Sequence, residues 1–377
     1  MKKYKKYTYA VPVFIIISIL LAFAAARRSE AAYHFADFSA TPPLHIYATT
    51  GSTPQGMTPS EIKKLYNLSV SNQPSTGGKG TIVIVGAYND TAIEQDLASF
   101  DTTFKLPACT TKNGCFTRHF MGSSGSDNAN WDLETALDVE WAHAIAPSAK
   151  ILLVEAKTAS GANLISAIDY AAAQKSATAI SMSWGGAEFQ EETSLDSHFK
   201  SASGAPFFAS SGDNGAGASW PAASPNVIGV GGTSLSVSKS GALIKESAWQ
   251  GSGGGVSAYE KAPAFQVSYS IPKSGGMRAV PDVSYDADPA SGFPIIHNGI
   301  WHTVGGTSAG APQWAAIASL GKGASNTNFY ADKSSTSNAS YFRDIVSGAN
   351  GTCGYFCTAR ARYDYVTGLG TPQTVNF

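Results

Sequence analysis

Ser308 lies in the stretch VGGTSAGAPQ (residues 304–313), held between Gly-Thr and Ala-Gly-Ala-Pro and followed by the helical pattern QWAAIASL. A hydroxyl presented on a turn at a helix start can act as a nucleophile, and it then needs a neighbour that takes its proton. Histidine is the usual neighbour. Of the seven histidines, His302 is close to Ser308 in sequence, but it precedes the turn on a predicted strand and reads as a rim or loop residue.

Carboxylates offer another acceptor. If residues 131–146 form a helix, each residue turns by about 100°, so Glu134 and Asp138 stand one above the other, about 40° apart. Trp141 and Ile145 share their stripe and Leu137 lies beside it, whereas Asp132 and His143 fall on the opposite side. A solvated acidic stripe would not carry Trp and Ile, so the pair is predicted to face an apolar interior. Buried carboxylates ionise at a cost unless they share a proton or find partners, and their titration then belongs to the pair. Glu134 could accept the Ser308 proton while Asp138 holds it in place. Acyl transfer also needs a donor for the developing oxyanion, and FFASSGDNGAG ends an apolar strand in a glycine-flanked Asp213. An ionised Asp213 would repel an oxyanion, but a protonated one donates to it, which favours acidic conditions or a raised pKa. In isolation the segment reads more simply as an Asp-Asn-Gly turn.

Taken together, ETALD, VEWAHAIAP, SMSWGG, SSGDNG, WPAASPNVIGVGGTSL, SGGGVS, RAVPDVSYDADP and GGTSAGAP stand in the order found in sedolisins. These are serine-carboxyl peptidases with a subtilisin-like fold, and the resemblance runs from about Thr58 to the C-terminus. It implies Ser308 as nucleophile, Glu134 as general base and acid, Asp138 as its orienting partner and Asp213 as the oxyanion-hole acid. It implies that Trp184, with Ser183 and Gly185, borders the substrate cleft; a core tryptophan is the alternative for Trp184. FRDIVSGANG and ARYDYVTGLGTP resemble the family's calcium loop. The implied cofactor is one structural Ca2+, held by Asp344, Asp364 and the main-chain carbonyls of Ile345, Arg360 and Arg362, an all-oxygen set suited to that ion. Arg360 and Arg362 stand where the family has glycines.

The implied activity is that of an exported endopeptidase working through an acyl-enzyme on protein or peptide substrates, with an acidic optimum. Two other readings are open. A histidine-dependent subtilisin-like protease would carry His-Gly-Thr, a motif that none of the seven histidines begins. A non-catalytic cell-surface binding protein could use the same scaffold.

The groups named above must be positioned by a sheet. Apolar runs at GTIVIVGAY, KILLVEA, AISMSWG, PFFASSG and VIGVGGT alternate with helical patterns at TAIEQDLASFDTTF and NLISAIDYAAAQ. This predicts an α/β fold, a central, mostly parallel sheet with helices on both faces, and a ligand site at the strands' carboxyl ends. Residues 58–377 read as one catalytic domain, with the calcium loop at 344–364, and Thr58-Pro59-Ser60 as a helix start. Residues 33–57 read as an irregular arm or linker. Sedolisins are generally made with a large folded propeptide, for which this arm is too short, so either folding proceeds without one or a separate propeptide-like inhibitor or chaperone is the expected partner.

Four lysines in MKKYKKYTY precede an uncharged apolar run of 17 residues, Ala10–Ala26, so residues 1–32 read as a signal peptide or membrane anchor. The expected location is secreted, or anchored on the outer face of the cell membrane, with no other membrane contact. A formal net charge of -1 and only 14% charged residues give no field for gathering nucleic acid, and a monomer is expected. The four cysteines form two local pairs, Cys109 with Cys115 and Cys353 with Cys357, which read as disulfide-closed loops in an oxidising compartment. Zinc is the alternative, although neither pair has the usual ligand spacing.

Overall fold

The computed structural model describes residues 34–68, 80–123, 128–331 and 341–377. The segment read as a signal peptide or anchor, 1–32, lies outside them. Among the described residues no helix is long and apolar enough to cross a membrane.

The first strand, β1 (His45–Gly51), belongs to a small sheet beside the main one. The main sheet is built from β2 (Thr81–Ala87), β3 (Phe116–Phe120), β4 (Lys150–Ala156), β5 (Ala177–Met182), β6 (Phe207–Ser210), β7 (Val227–Val237), β8 (Leu243–Ala248) and β9 (Val283–Asp286). Their order is β8-β7-β6-β5-β2-β4-β3, with β9 also pairing with β7. All these pairings are parallel except that of β8 with β7. β-branched and apolar side chains alternate between the two faces, as the strand period of two requires. Ile82, Ile84, Ile151 and Leu153 point toward α1 (Pro59–Leu65), α2 (Ile93–Phe104) and α3 (Ala129–Ile145). Val83, Val85, Leu152 and Val154 point toward α4 (Gly161–Ala172) on the other face. The expected α/β architecture, a mostly parallel sheet covered on both sides, is the one observed.

The start of the domain is fixed locally. Thr58 caps α1, with its side chain accepting from Glu61 N while Glu61 reaches back to Thr58 N, and Pro59 supplies a preset φ in the first turn. The preceding arm differs from expectation. It is neither linker nor irregular, because β1 pairs antiparallel with β11 (Ile300–Gly305), which in turn pairs with β10 (Phe293–His297). β11 runs through Gly306 into α5 (Gly310–Leu320), so one continuous segment links the small sheet to the Ser308 turn.

Both cysteine pairs are bonded, Cys109 to Cys115 and Cys353 to Cys357. The fold brings His143 of α3 up to the first pair, with ligand atoms of all three residues within 4.8 Å of one another. The sulfurs bond each other, so they are not the thiolates a zinc site needs.

Candidate active site

α3 carries the carboxylates. Asn128 caps it by accepting from Asn130 N and Trp131 N, and every residue from Trp131 to Ile145 is buried. The wheel predicts one apolar stripe, whereas the helix is enclosed on all sides between the sheet, α2 and α5. Its polar groups therefore need internal partners. On the side away from Glu134, His143 Nε2 lies 2.8 Å from Pro107 O, and Glu140 accepts from Ile296 N at 3.1 Å.

Toward the sheet's carboxyl ends, Asp138 Oδ1 accepts the Ser183 hydroxyl at 2.5 Å, and that hydroxyl also lies 3.1 Å from the main-chain oxygen of Ser308. Ser183 thus ties the carboxylate pair to the serine turn. It is fully buried and does not line the cleft, so the substrate contact expected of it gives way to a positioning contact with Asp138.

Glu134 is 2% exposed and lies beside Ser308. Burial raises its pKa well above the usual carboxyl range, the Asp138 charge raises it further, and the Ser308 hydroxyl pulls the other way. Burial likewise raises Asp138, opposed by Ser183. Neither Glu134 oxygen has a hydrogen bond of regular geometry, because the Ser308 hydroxyl is turned onto the carbonyl of Pro43 at 2.9 Å. None of the described histidines contacts that hydroxyl.

Asp213 stands just past the end of β6. Its Oδ1 accepts from Thr307 N and Thr307 Oγ1, both at 2.8 Å, which anchors the carboxyl to the serine turn. Its Oδ2 faces the cleft, 3.1 Å from His45 Nε2. Burial raises the Asp213 pKa, while His45 and Thr307 oppose the rise. Gly306 makes this closeness possible. Its φ is 128°, and a Cβ there would fall 2.0 Å from Pro43 O and 2.6 Å from Asp213 Oδ2.

A cleft of about 470 Å³ opens between these elements, and Gly185, Gly212, Asp213, Pro43 and His45 are on its wall. Gly185 is therefore where expected. Trp184 is not: it is 1% exposed, its indole donates to Val85 O at 2.8 Å, and its ring packs near Trp220. The core alternative holds for it, because its indole is turned onto Val85 O and in among the rings around Trp220.

Sequence reasoning misses Pro43, Thr307 and His45. Among the histidines it looks only for a base, and His45 serves Asp213 instead. The available signal is TPPLH, where two prolines hold an extended chain.

In the C-terminal loop, main-chain N–H groups tie down both candidate calcium carboxylates. Arg362 N donates to Asp344 Oδ2 at 2.8 Å and Arg360 N to Asp364 Oδ2 at 3.2 Å. Asp364 also accepts from Val366 N, Thr367 N and the Thr367 hydroxyl. Backbone hydrogen bonds among the described residues leave the carbonyl oxygens of Ile345, Arg360 and Arg362 unclaimed. Carboxylates and unclaimed main-chain carbonyls are the kind of oxygen donor a hard cation takes. Asp364 is the poorest match, because both of its oxygens are already engaged. The Arg360 guanidinium lies 3.8 Å from the Tyr355 ring centroid, a stacking contact glycine could not make.

Many carboxyls are buried, and the sign of their effect on stability is definite. Burial lifts Asp101 to about 6, Glu155 to about 7 and Glu260 to about 8, and it raises Glu134, Glu140 and Asp286 as well. Unfolded carboxyls titrate near roughly 4, so between about pH 4 and 8 the folded chain binds more protons and loses stability as pH rises. Calorimetry across that range should find the highest Tm at its acidic end and a steady fall above pH 6. A Tm that climbs from pH 5 to 8 would contradict the burial of these groups.

The model of the subtilase family matches residues 121–341. Sedolisin of Pseudomonas sp. (strain 101) is 29% identical over 364 residues, covering 85% of this chain and 60% of that protein. Kumamolisin of Bacillus sp. (strain MN-32) is 29% identical over 362 residues, covering 85% of this chain and 63% of that protein. The chain thus spans about three fifths of the length of these curated relatives. Among solved structures, Pseudomonas sedolisin (serine-carboxyl proteinase) complexed with two molecules of pseudo-iodotyrostatin superposes with a TM-score of 0.72 at 29% identity, covering 85% of this chain and 96% of that one.

Proposed function

This chain belongs to the subtilase family, and on that premise we propose that it is a serine-carboxyl endopeptidase that hydrolyses peptide bonds through an acyl-enzyme. The observation that carries this reading is the Glu134–Asp138 pair, enclosed against the Ser308 hydroxyl where a histidine-dependent protease would have an imidazole. Ser308 Oγ attacks the substrate carbonyl and Glu134 takes its proton. Asp138, fixed by Ser183, holds Glu134 and keeps a proton in the pair. Protonated Asp213 donates through Oδ2 to the developing oxyanion while Thr307 fixes its other oxygen. Collapse of the intermediate returns the Glu134 proton to the leaving amine, and water then releases the acyl group.

The acidic optimum follows from the same groups. Asp213 must be protonated to donate, so rate is lost as pH rises through its raised pKa; Glu134 must accept the Ser308 proton, so rate is lost as pH falls through the raised pKa of the Glu134–Asp138 pair. Glu134 with its neighbour Asp138 sets the acid limit, and Asp213 with its neighbour His45 the alkaline one. Peptide-library hydrolysis measured from pH 3 to 8 should peak on the acid side. Asp213→Ala should lower kcat by roughly 10² to 10³ and remove the loss on the alkaline side. A wild-type optimum above pH 8, or an unaltered rate in Asp213→Ala, overturns the assignment.

Residues 1–32 fit export, either as a cleaved signal or as an outward-facing anchor. One structural Ca2+ is proposed at Asp344 and Asp364 with the carbonyls of Ile345, Arg360 and Arg362. When bound it supplies only cross-linking charge to the C-terminal loop. Chelation should lower Tm by several degrees, and added calcium should restore it. A Tm indifferent to chelator would mean that hydrogen bonding and the Cys353–Cys357 link have taken over the role of the ion.

A further inference from the structure

A second hollow, of about 120 Å³, shares no residue with the wall of the Ser308 cleft. Tyr269, Pro272, Tyr355 and Tyr363 give it a largely apolar lining, and Arg360 and Arg362 stand among them. Lys273, next to Pro272, places its ammonium 4.1 Å from the centre of the Tyr355 ring, and the Arg360 guanidinium lies 3.8 Å from the same point. Like charges gathered on one ring repel each other, so the cluster needs an anion to settle it. The chain supplies none. Among the described residues, neither guanidinium nor the ammonium forms an ion pair. Arg360 Nε is moreover buried and has no hydrogen-bond partner. Folding has taken that donor from water without replacing the bond, and such an atom on the wall of a hollow points to a ligand that completes it.

The backbone holds these side chains in place. Lys273 and Arg362 have φ of 65° and 68°, and Ser270, also on the wall, has 66°. Left-handed backbone suits glycine and is unfavourable for a long side chain, so neighbouring contacts must maintain it. Two are evident. The Tyr365 hydroxyl donates to Pro272 O at 2.8 Å, which ties the segment after the short helix Ala264–Tyr269 to the C-terminal loop. The Cys353–Cys357 bond closes the turn that carries Tyr355. The main-chain N–H groups of Arg360 and Arg362 are spent on Asp364 and Asp344, which leaves the two guanidiniums for something else.

We propose that this hollow binds a phosphate group. A carboxylate offers two oxygens in one plane, enough for a single guanidinium fork. Two guanidiniums and an ammonium on separate segments need acceptors in several directions, and the oxygens of a phosphate supply them. Arg362 and Lys273 are exposed, so the hollow is open to solvent and accepts the group free or at the end of an ester. Bound phosphate joins the 269–273 segment, the disulfide-closed turn and the 360–363 loop, and it stabilises the folded chain by mass action. It uses the side chains of Arg360 and Arg362, whereas the calcium proposed for this loop would use their carbonyls. The site stands apart from the peptidase chemistry and would give the enzyme a foothold on phosphate-bearing material outside its cleft.

The test is isothermal titration calorimetry of the full chain in detergent at about pH 5.5, with calcium present and ionic strength held constant with chloride. Inorganic phosphate, glycerol 1-phosphate and acetate are the ligands. Wild type should bind one phosphate per chain saturably, with acetate weaker by roughly tenfold or more. Arg362→Gln changes an exposed side chain and keeps the main-chain carbonyl; it should weaken phosphate by roughly tenfold, and adding Arg360→Gln should abolish binding. Tighter binding of glycerol 1-phosphate than of inorganic phosphate identifies an ester as the ligand, and equal or weaker binding identifies free phosphate. No saturable phosphate binding to wild type rejects the site. So does binding that survives both substitutions, which would belong to the calcium ion or to another surface. Acetate binding as tightly as phosphate rejects phosphate as the ligand. The comparison of phosphate with acetate needs no variant, so it decides even if a substitution prevents folding.

Discussion

Ser308→Ala is expected to give a folded protein whose kcat on peptides is lower by roughly 10⁶-fold. The substitution removes one oxygen from a fully buried turn whose other anchors remain: Thr307 bonded to Asp213, and the Ser308 main-chain oxygen bonded to Ser183. Its effect on Tm should therefore be small, and the loss of rate cannot be charged to unfolding. What is lost is the hydroxyl at which a carboxyl base, an oxyanion donor and a cleft meet. Steady-state kinetics with an internally quenched peptide, beside near-ultraviolet circular dichroism, measures both. A loss below 100-fold would mean that another group attacks the carbonyl.

Glu134→Gln should cost roughly 10⁴ in kcat, as expected where an isosteric change leaves geometry but removes proton acceptance. The amide fills the same space on α3, but it cannot carry the Ser308 proton to the leaving amine. Stability should move the other way. Burial and Asp138 both work against ionised Glu134, so a neutral replacement removes a group that opposes folding at neutral pH. Tm at pH 7 should be unchanged or higher, while kcat collapses. Combining the change with Ser308→Ala should add almost nothing, since the two act as one unit. A drop under tenfold would place the base elsewhere.

The sheet and the serine turn are legible in the sequence because their signals are local. β-branched runs ending in small residues give parallel strands, and Gly-Thr-Ser before an apolar helix gives the turn. Glu134 and Asp138 can be paired from helical spacing alone. The wheel does not show that α3 is buried all round, because that depends on which neighbours cover its far side, here Pro107, Ile296 and α2. Trp184 is ambiguous for a similar reason: a tryptophan at the end of a strand can face cleft or core, and only the hydrogen bond to Val85 O decides.

The arm departs furthest from its sequence pattern. Its residues have little periodicity, and their order comes from partners far along the chain: Gly185, Asp213 and Gly305. Likewise nothing in sequence couples His143 to Cys109 and Cys115. In each instance the missing information is tertiary contact, which residue type and spacing do not encode.

The central claim is that a carboxyl group, rather than an imidazole, exchanges a proton with Ser308. The most direct measurement is a crystal structure of the protein at acidic pH bound to a peptide aldehyde. It should show the aldehyde carbon bonded to Ser308 Oγ, Glu134 within about 3 Å of that oxygen, and Asp213 against the hemiacetal oxygen. A histidine on the Ser308 oxygen in place of Glu134, or Glu134 turned away from it, would contradict the claim.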